Sequence, residues 1–396
     1  MRNDERKILE KKRVSLEEWL PDSRQWESYA VFGGDIFQRN IAVEQGIARC
    51  FGHRAIFVIH NNLSLEGELK NLLSIYPDLE AYRYTPTTFV NSQNRNYMPF
   101  WGLDGDRIQE VLYPEAGQSN TSQYKSGVRS YLRILEYEKK PYTLTNLLHL
   151  SQKKFEKLEM EDLNNIPDEI RDEIEANLLA DDVMGKVKND IESFAGVFRS
   201  SVWDEREEEM VNLLAAVKNK ALISVYLPGR SGSVLDYLAV ELEMILESNL
   251  DFLIVIDSIN IEDGRMKRIL LNPSLNMSKI IAADTVEDVC GSVRNSGEEI
   301  LHRFQKIVLF KCANSLVAKT YSDIIGSYLK TIESKTVNNT RRIGNWGSDR
   351  TKGKSVSQQL ALRLEPEELV ALGTGAVLID QETEWIEKAG RIEELE

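Results

Sequence analysis

A short stretch near the N-terminus, VFGGDIFQRN at residues 31–40, has the outline of a phosphate-binding loop that has lost its functional residues. Such a loop needs the pattern G-x-x-x-x-G-K-[ST], because backbone N–H groups and the Lys hold phosphates while the hydroxyl binds Mg²⁺. Counting four residues on from Gly33 leads to Gln38, Arg39 and Asn40, where Gly, Lys and Ser or Thr are expected. The stretch is either a nucleotide site that has lost its chemistry or an ordinary turn between a strand and a helix.

Each of the three replacements weakens a different part of the phosphate site. Gln38 places a Cβ and an amide where the backbone would approach a phosphate closely. Arg39 keeps a positive charge, but its wide planar guanidinium does not simply replace an ammonium group. Asn40 offers only a carbonyl oxygen as a weak ligand for Mg²⁺. The Gly33-Gly34 pair alone is a weak signal for a nucleotide site.

A second half-site stands at the end of the apolar run DFLIVIDS, residues 251–258. In P-loop ATPases such a Walker B strand ends in an Asp that supports Mg²⁺, usually followed by a Glu that activates water. Here Asp257 is the candidate metal ligand, and Ser258 follows it, which cannot serve as a general base at neutral pH. With the Walker A Lys and the Walker B Glu both absent, we predict no ATPase activity, and ATP and Mg²⁺ only if the altered loop still binds them.

The apolar runs that must position these residues alternate with amphipathic stretches. Strands are indicated at 55–60, 81–89, 221–228, 251–258, 278–284, 306–312 and 375–380, with helices at 65–76, 234–248, 298–304 and 316–330. This alternation predicts an α/β fold with a mostly parallel sheet covered by helices on both faces. Residues 103–215 are rich in Glu, Leu and Lys at helical spacing. We therefore predict an α/β domain of residues 1–104 and 210–396, interrupted by an all-helical inserted domain of residues 105–209.

The net charge of −14 over 396 residues is distributed unevenly. Residues 151–209 carry 18 acidic and 8 basic side chains, while residues 335–354 carry six Lys or Arg and one Asp. The overall charge argues against indiscriminate binding to nucleic acid. The three scattered cysteines and the absence of HExxH, CxxC and GxSxG motifs give no support to zinc sites, disulfides or serine-hydrolase chemistry.

The sequence also indicates where the protein acts. The N-terminus, MRNDERKILEKKR, is charged and lacks the apolar core of a secretory signal, and no run of eighteen apolar residues occurs. We therefore predict a cytoplasmic protein with no direct membrane span, which partners could recruit to a membrane.

The polar, Gly-containing stretch 336–359 predicts a mobile loop or linker. Its cations and one aromatic ring suit contact with single-stranded nucleic acid. The candidate residues are Arg341, Arg342, Trp346, Arg350, Lys352 and Lys354. An exposed loop would carry the same residues for solubility alone, so both interpretations stay open.

The order of these features resembles the conjugative coupling proteins, the TraG/TraD-type DNA-pumping ATPases of type IV secretion within the FtsK/HerA group. The resemblance covers most of residues 28–380. Besides the two half-sites, it is carried by FVIHNNLSLEGEL at 57–69, RNYMPFWGL at 95–103, the helical insertion, KIVLFKCANSLVAKTYSDIIGSYLK at 306–330 and RLEPEELVALGTGAVLID at 363–380. It implies a RecA-like P-loop NTPase fold and an insertion that recognises a relaxase or another secretion-system protein.

The departures from that family decide which function we predict. The chain lacks the family's N-terminal membrane helices, and Asp284 and Asp288 stand roughly where its glutamines are expected. We predict a coupling-protein-like component without hydrolysis that recruits substrates or acts as an adaptor in DNA transfer, as a homo- or hetero-oligomer. One alternative is an active DNA-translocating motor that uses Arg39 and Asp257, with Glu262 or Asp263 as a nearby base. The other is a nucleotide-independent nucleic-acid-binding protein.

Overall fold

The computed structural model describes residues 13–14, 28–75, 81–84, 96–114, 121–180, 182–197, 210–211, 213–227, 232–261, 264–272, 277–291, 298–341, 348–382, 385–389 and 391–392. Its strands are β1 Arg13–Val14, β2 Tyr29–Phe32, β3 Ala55–His60, β4 Ala81–Tyr84, β5 Asn96–Tyr97, β6 Met210–Val211, β7 Leu222–Tyr226, β8 Phe252–Asp257, β9 Ser278–Ala283, β10 Lys306–Leu309, β11 Ser327–Arg341, β12 Ser348–Leu362, β13 Ala376–Asp380, β14 Trp385–Ala389 and β15 Arg391–Ile392.

The helices divide into those before, within and after the predicted insertion. They are α1 Ile36–Ala48, α2 Leu63–Ile75, α3 Gly105–Leu112, α4 Thr121–Tyr137, α5 Leu144–Ser151, α6 Phe155–Leu158, α7 Asp168–Leu178, α8 Val183–Val197, α9 Leu213–Lys218, α10 Gly232–Glu247, α11 Arg265–Leu271, α12 Val286–Cys290, α13 Glu298–Arg303, α14 Ser315–Ile325 and α15 Pro366–Val370. A π-helical turn, Glu159–Leu163, continues α6.

A nine-stranded sheet forms the centre of the molecule, in the order β14-β13-β10-β2-β9-β8-β3-β7-β4. All neighbours from β10 to β4 run parallel, and β13 and β14 add an antiparallel edge. Alternate residues of the central strands enter different hydrophobic cores, as Ile254 and Val255 of β8 do. Because both faces are covered, the strands consist of continuous apolar runs. The predicted α/β fold with a mostly parallel sheet is confirmed.

Helices cover both faces of this sheet. Helices α1 and α2 bury Val43 and Leu69 in the core of one face. On the opposite face, α8 and α10 meet at Phe100, whose ring centroid lies 5.1 Å from that of Phe194 and 5.7 Å from that of Tyr237. Every described element between residues 105 and 197 is helical. The division of the chain into two domains at residues 104 and 210 stays a prediction.

The stretch predicted as a mobile loop or linker, residues 336–359, lies mostly in a two-stranded antiparallel ribbon. Strands β11 and β12 pair over fifteen residues each, from Ser327 opposite Leu362 to Arg341 opposite Ser348. The loop prediction was therefore wrong, because a ribbon that is polar on both faces lacks the apolar alternation by which strands are detected. The helix predicted over 316–330 is also shorter, since α14 ends before Gly326, which has φ +89°.

None of the helices in the described part of the chain is long and apolar enough to cross a membrane.

Candidate functional site

The two predicted half-sites lie at the same edge of the sheet. The turn after β2 and the last residue of β8, Asp257, both stand at the carboxyl ends of parallel strands, with β9 between them. Ligands of open α/β sheets bind in the crevice outside these ends. The arrangement therefore brings residues 31–40 and Asp257 to the edge where a phosphate and a metal would be held together.

The turn after β2 is shorter than a phosphate-binding loop. Strand β2 ends at Phe32 and α1 begins at Ile36, so Gln38, Arg39 and Asn40 already lie in the helix. Gly33 and Gly34 adopt φ +79° and +68°, which is the left-handed region that favours glycine. Their N–H groups donate to the carbonyl oxygens of Asp284 and Lys311, at 2.9 and 2.8 Å.

The N-terminus of α1 is closed by its own side chains. Asp35 Oδ1 accepts a hydrogen bond from the N–H of Gln38 at 2.8 Å, and Gln38 Oε1 accepts one from the N–H of Asp35 at 3.1 Å. This reciprocal arrangement is a capping box. The positive end of a helix favours an anion, and here the Asp35 carboxylate occupies that position. Gln38 Nε2 also donates to Thr374 O, at 3.3 Å.

The guanidinium of Arg39 contacts groups of the protein itself. Its Nη1 donates to the carbonyl oxygens of Gly33 and Gly34, at 3.1 and 3.0 Å, and lies 3.6 Å from Asp284 Oδ1. The residue is 8 % exposed. The cation that was predicted to hold a phosphate therefore binds the backbone of the turn that would surround that phosphate.

A side chain that the sequence analysis did not select, Asn62, connects the two half-sites. Asn62 Nδ2 donates to Asn40 Oδ1 at 2.8 Å and to Asp257 Oδ2 at 2.7 Å. Its Oδ1 accepts from the N–H groups of Ser64 and Leu65, at 3.1 and 3.3 Å, at the start of α2. The amide nitrogen thus lies between the two oxygens that were predicted to face Mg²⁺.

The surroundings of Asp257 disfavour its charge. Burial raises the pKa of the Asp257 carboxyl, and the hydrogen bonds from Asn62 and Ser258 and the charge of Arg39 lower it only in part. Ser258 Oγ donates to Asp257 Oδ1 at 3.0 Å, and Ser258 itself has φ +57°. Beside Asn62, the buried ring of His60 places Nε2 3.0 Å from Ser224 Oγ. The described edge is therefore a closed network of polar side chains.

The other predicted site residues lie elsewhere. Arg341, Arg350, Lys352 and Lys354 belong to the β11–β12 ribbon. Arg342 and Trp346 of the predicted nucleic-acid contact, and the candidate bases Glu262 and Asp263, lie outside the described residues.

Three residues of the network left a signal in the sequence. Asp35 and Gln38 form the D-x-x-Q pattern of a capping box, which predicts a helix start at this position. Asn62 is the second residue after the buried run AIFVIH, so a polar residue just beyond the carboxyl end of a strand was visible. Its contact with Asp257, 195 residues away, was not.

Comparison with solved structures identifies the architecture. No protein-family model matches the chain, and no curated protein matches it in sequence. Its fold is similar to that of the bacterial conjugative coupling protein TrwBΔN70 in an unbound monoclinic form, with a TM-score of 0.57 and 11 % identity, covering 98 % of this chain and 92 % of that one. For the plasmid coupling protein TrwB in complex with ADP and Mg²⁺, the TM-score is 0.58 at 11 % identity, covering 98 % and 89 %. The predicted coupling-protein-like fold is confirmed.

Proposed function

We propose that this chain is a coupling-protein-like component of a conjugation or related type IV secretion system that does not hydrolyse ATP and recruits or adapts substrates for DNA transfer. The fold that this chain shares with TrwB supports its assignment to a conjugation or secretion system. The observation that carries the loss of hydrolysis is the Asn62 amide, which lies between Asn40 and Asp257 where Mg²⁺ would be held.

The residues at this edge do not fit ATP and Mg²⁺. A phosphate-binding loop works through N–H groups that point at the ligand, and those of Gly33 and Gly34 are bonded to neighbouring carbonyls. The Asp35 carboxylate would repel a phosphate from the helix N-terminus. TrwB has been solved with ADP and Mg²⁺, so this fold does not by itself exclude a nucleotide. The misfit described above arises from the side chains of this chain. No step of the proposed function therefore passes through a nucleotide.

The helical segment between residues 105 and 197 supplies the surface for a protein partner in this proposal. Its helix α7 begins with exposed acidic residues, Asp168 and Glu169, followed by exposed Asp172 and Glu173. The large apolar side chain of Leu179, just after the helix, is 61 % exposed. Acidic groups beside an exposed apolar residue fit a basic partner, and a relaxase or another secretion-system protein is the class we propose.

The test is a calorimetric titration of the full chain with ATP and Mg²⁺, combined with an assay of phosphate release. We expect affinity no tighter than millimolar and no turnover. The variants Arg39→Ala and Asp257→Ala are assayed together with a control, Lys330→Ala, which removes a cation from the β11–β12 ribbon. Micromolar binding with steady turnover, lost in the first two variants and kept in the third, would overturn the proposal in favour of an active motor with an atypical loop.

A further inference from the structure

A cavity of about 670 Å³ lies between helices α11 and α13, on the face of the sheet opposite α1 and α2. Of the described residues that line it, Lys267, Arg268 and Arg303 are cationic and Glu299 is the one carboxylate. Leu271 is the one large apolar side chain among them. In a chain with a net charge of −14, the lining of this α11–α13 cavity therefore carries a net charge of +2, three cations less one carboxylate.

The neighbouring cavity, between α10 and α11, has balanced charges among its described residues. It measures about 460 Å³, and Glu243 and Glu247 line it together with Arg265 and Arg268. Arg265 is held by carboxylates of two helices, since its Nη1 lies 3.6 Å from Glu243 Oε2 and its Nη2 donates to Glu110 Oε1. The excess of positive charge therefore belongs to the α11–α13 cavity and not to α11 as a whole.

One end of the α11–α13 cavity lies at the amino edge of the sheet. Asn272 lines this end, and its carbonyl oxygen accepts a hydrogen bond at 2.8 Å from Nζ of Lys279, which is the second residue of β9. Arg303 stands just before the start of β10. Because β9 and β10 both run parallel to β2, these positions lie at the edge opposite the one that carries Asp257. The cavity is therefore separate from the network around Asn62.

The carboxyl end of α11 does not account for the cations of this cavity. Such a helix end carries partial negative charge and attracts a cation. Buried Lys279 already fills that role, because its Nζ donates to Leu270 O and Asn272 O, each at 2.8 Å. Burial and the charge of Arg303 lower the pKa of Lys279 to about 8. Neither Arg268 nor Arg303 forms an ion pair with a carboxylate in the described part of the chain, so their counter-charge comes from solvent or from a bound anion.

We propose that the α11–α13 cavity binds a small anion that carries two phosphoryl groups, for which inorganic pyrophosphate is the simplest probe. The guanidinium groups of Arg268 and Arg303 are planar forks that match phosphoryl oxygens in pairs, and Lys267 adds a compact positive charge. Pyrophosphate carries roughly three negative charges at neutral pH, which matches the charge of the lining together with that of nearby Lys279.

The lining favours a phosphoryl anion over an apolar ligand or a carboxylate. Cavities that hold uncharged organic molecules are lined mostly by apolar side chains, whereas Leu271 is the one large apolar side chain described here. A phosphoryl group offers more acceptor oxygens and more charge than a carboxylate, so two such groups can accept from three cationic side chains at once. The inference goes beyond the proposed function and does not depend on it, because none of residues 31–40, Asn62 and Asp257 lines the cavity.

Isothermal titration calorimetry of the full chain with sodium pyrophosphate, without nucleotide or Mg²⁺, tests the inference. Sulfate and citrate at equal ionic strength are the comparison anions, because sulfate has a single tetrahedral group and citrate has carboxylates only. We expect pyrophosphate to bind at least about tenfold more tightly than either, since charge-assisted hydrogen bonds to a second phosphoryl group add to the affinity. No measurable binding of pyrophosphate, or equal affinity for sulfate or citrate, would overturn the inference.

Substitutions of exposed residues in the cavity should change this affinity in both directions. Arg268→Gln and Arg303→Gln should each weaken pyrophosphate binding by at least about tenfold, because each removes a charged donor pair. Glu299→Gln removes the carboxylate of the lining and should tighten binding by about threefold. As a matched control, Arg129→Gln removes an exposed guanidinium from α4 and should leave the affinity within about twofold of the wild type.

The variants also show where a bound anion lies. Wild-type affinity in both Arg268→Gln and Arg303→Gln would remove the anion from the α11–α13 cavity and contradict the inference. Binding that is lost in Arg39→Ala but kept in Arg303→Gln would place the anion at the turn after β2, with the same consequence. Because Glu299→Gln is expected to bind more tightly, a general loss of structure cannot imitate the expected pattern, and a Glu299→Gln protein that binds more weakly than the wild type would also count against the proposal.

Discussion

The carboxyl edge of the sheet and the β11–β12 ribbon arrange their charged residues in opposite ways. At the sheet edge, buried Arg39 donates hydrogen bonds to the carbonyl oxygens of Gly33 and Gly34, and Asp257 accepts hydrogen bonds from Asn62 and Ser258, so both side chains are bonded within the chain. The two strands of the ribbon carry six Lys or Arg residues and two acidic residues. The region where the fold would bind a phosphate is closed by its own side chains, and the region with surplus positive charge lies outside the central sheet.

The comparison shows how the polar groups at the edge of a parallel sheet are satisfied by the protein's own side chains. Polar groups at the ends of buried strands must find hydrogen-bond partners, since a buried donor or acceptor without one costs about 1–3 kcal/mol. In this chain Asn62, Asp35 and Arg39 supply those partners from the protein itself. We therefore expect substitutions at the sheet edge to change stability, whereas single substitutions on the ribbon should leave it nearly unchanged.

The largest expected effect is that of Asn62→Ala. The change removes the hydrogen bonds at the start of α2, which are worth about 1 kcal/mol, and leaves Asn40 and the buried Asp257 without their shared donor, at about 1–3 kcal/mol. We expect the free energy of unfolding, measured by urea denaturation, to fall by about 3 kcal/mol. The control is Asn71→Ala on the exposed side of the same helix, which should stay within about 0.5 kcal/mol of the wild type. Equal effects of the two substitutions would contradict the closed network.

Gly34→Ala should have the next largest effect. Gly34 has φ +68°, and an added Cβ would lie 2.6 Å from Phe310 Cβ and 2.7 Å from Gln38 Oε1. The strained conformation and the displaced neighbours should together cost about 2 kcal/mol of unfolding free energy.

Gly67→Ala is the control for this substitution. Gly67 lies inside α2, and its added Cβ would meet nothing within 4 Å. Because Ala favours a helix more than Gly does, this variant should gain about 0.5–1 kcal/mol. A Gly34→Ala protein as stable as the wild type would mean that the turn is loose enough to rearrange around a phosphate, and the contrast with the ribbon would weaken.

Much of the fold could be predicted from the sequence, because buried parallel strands consist of continuous apolar runs. The run AIFVIH and the run that ends at Asp257 were predicted as strands from their own residues, without knowledge of the neighbouring strands. They form β3 and β8 in the structure. The ribbon could not be predicted, since with polar residues on both faces it lacks alternation. Its two strands are joined by backbone pairing, which composition does not reveal.

The site was predictable only in part for a related reason. Motif spacing located the turn after β2 and Asp257, because each directly follows or ends an apolar run. What those residues bond to depends on the strand order, which brings Asn62 and Asp257 together across 195 residues. Whether the edge binds a nucleotide, and how far the helical insertion extends, remain predictions.

Asp257→Asn should change stability in a pH-dependent way. Burial raises the pKa of Asp257 in the folded protein above its ordinary value of 3.8. A raised carboxyl pKa contributes stability that is present below the pKa of the unfolded chain and is lost as pH rises through the folded pKa. The Asn side chain does not ionise, so the variant should gain stability relative to the wild type as pH rises above about 4. Urea midpoints of both proteins at increasing pH measure the difference. A variant that instead loses stability with rising pH would indicate that the edge favours a charged Asp257, as a metal site does.

The smallest expected effect on stability is that of Lys352→Ala on the ribbon. Lys352 pairs with Val337 across the two strands, and a single charge removed from a two-stranded ribbon should change the free energy of unfolding by less than about 0.5 kcal/mol. Lys330→Ala, also on the ribbon, should have the same small effect in the same urea titration, since neither residue lies on the central sheet. A loss of 2 kcal/mol or more in Lys352→Ala would place its side chain in a structural contact, and the ribbon would then contribute to folding as the sheet edge does.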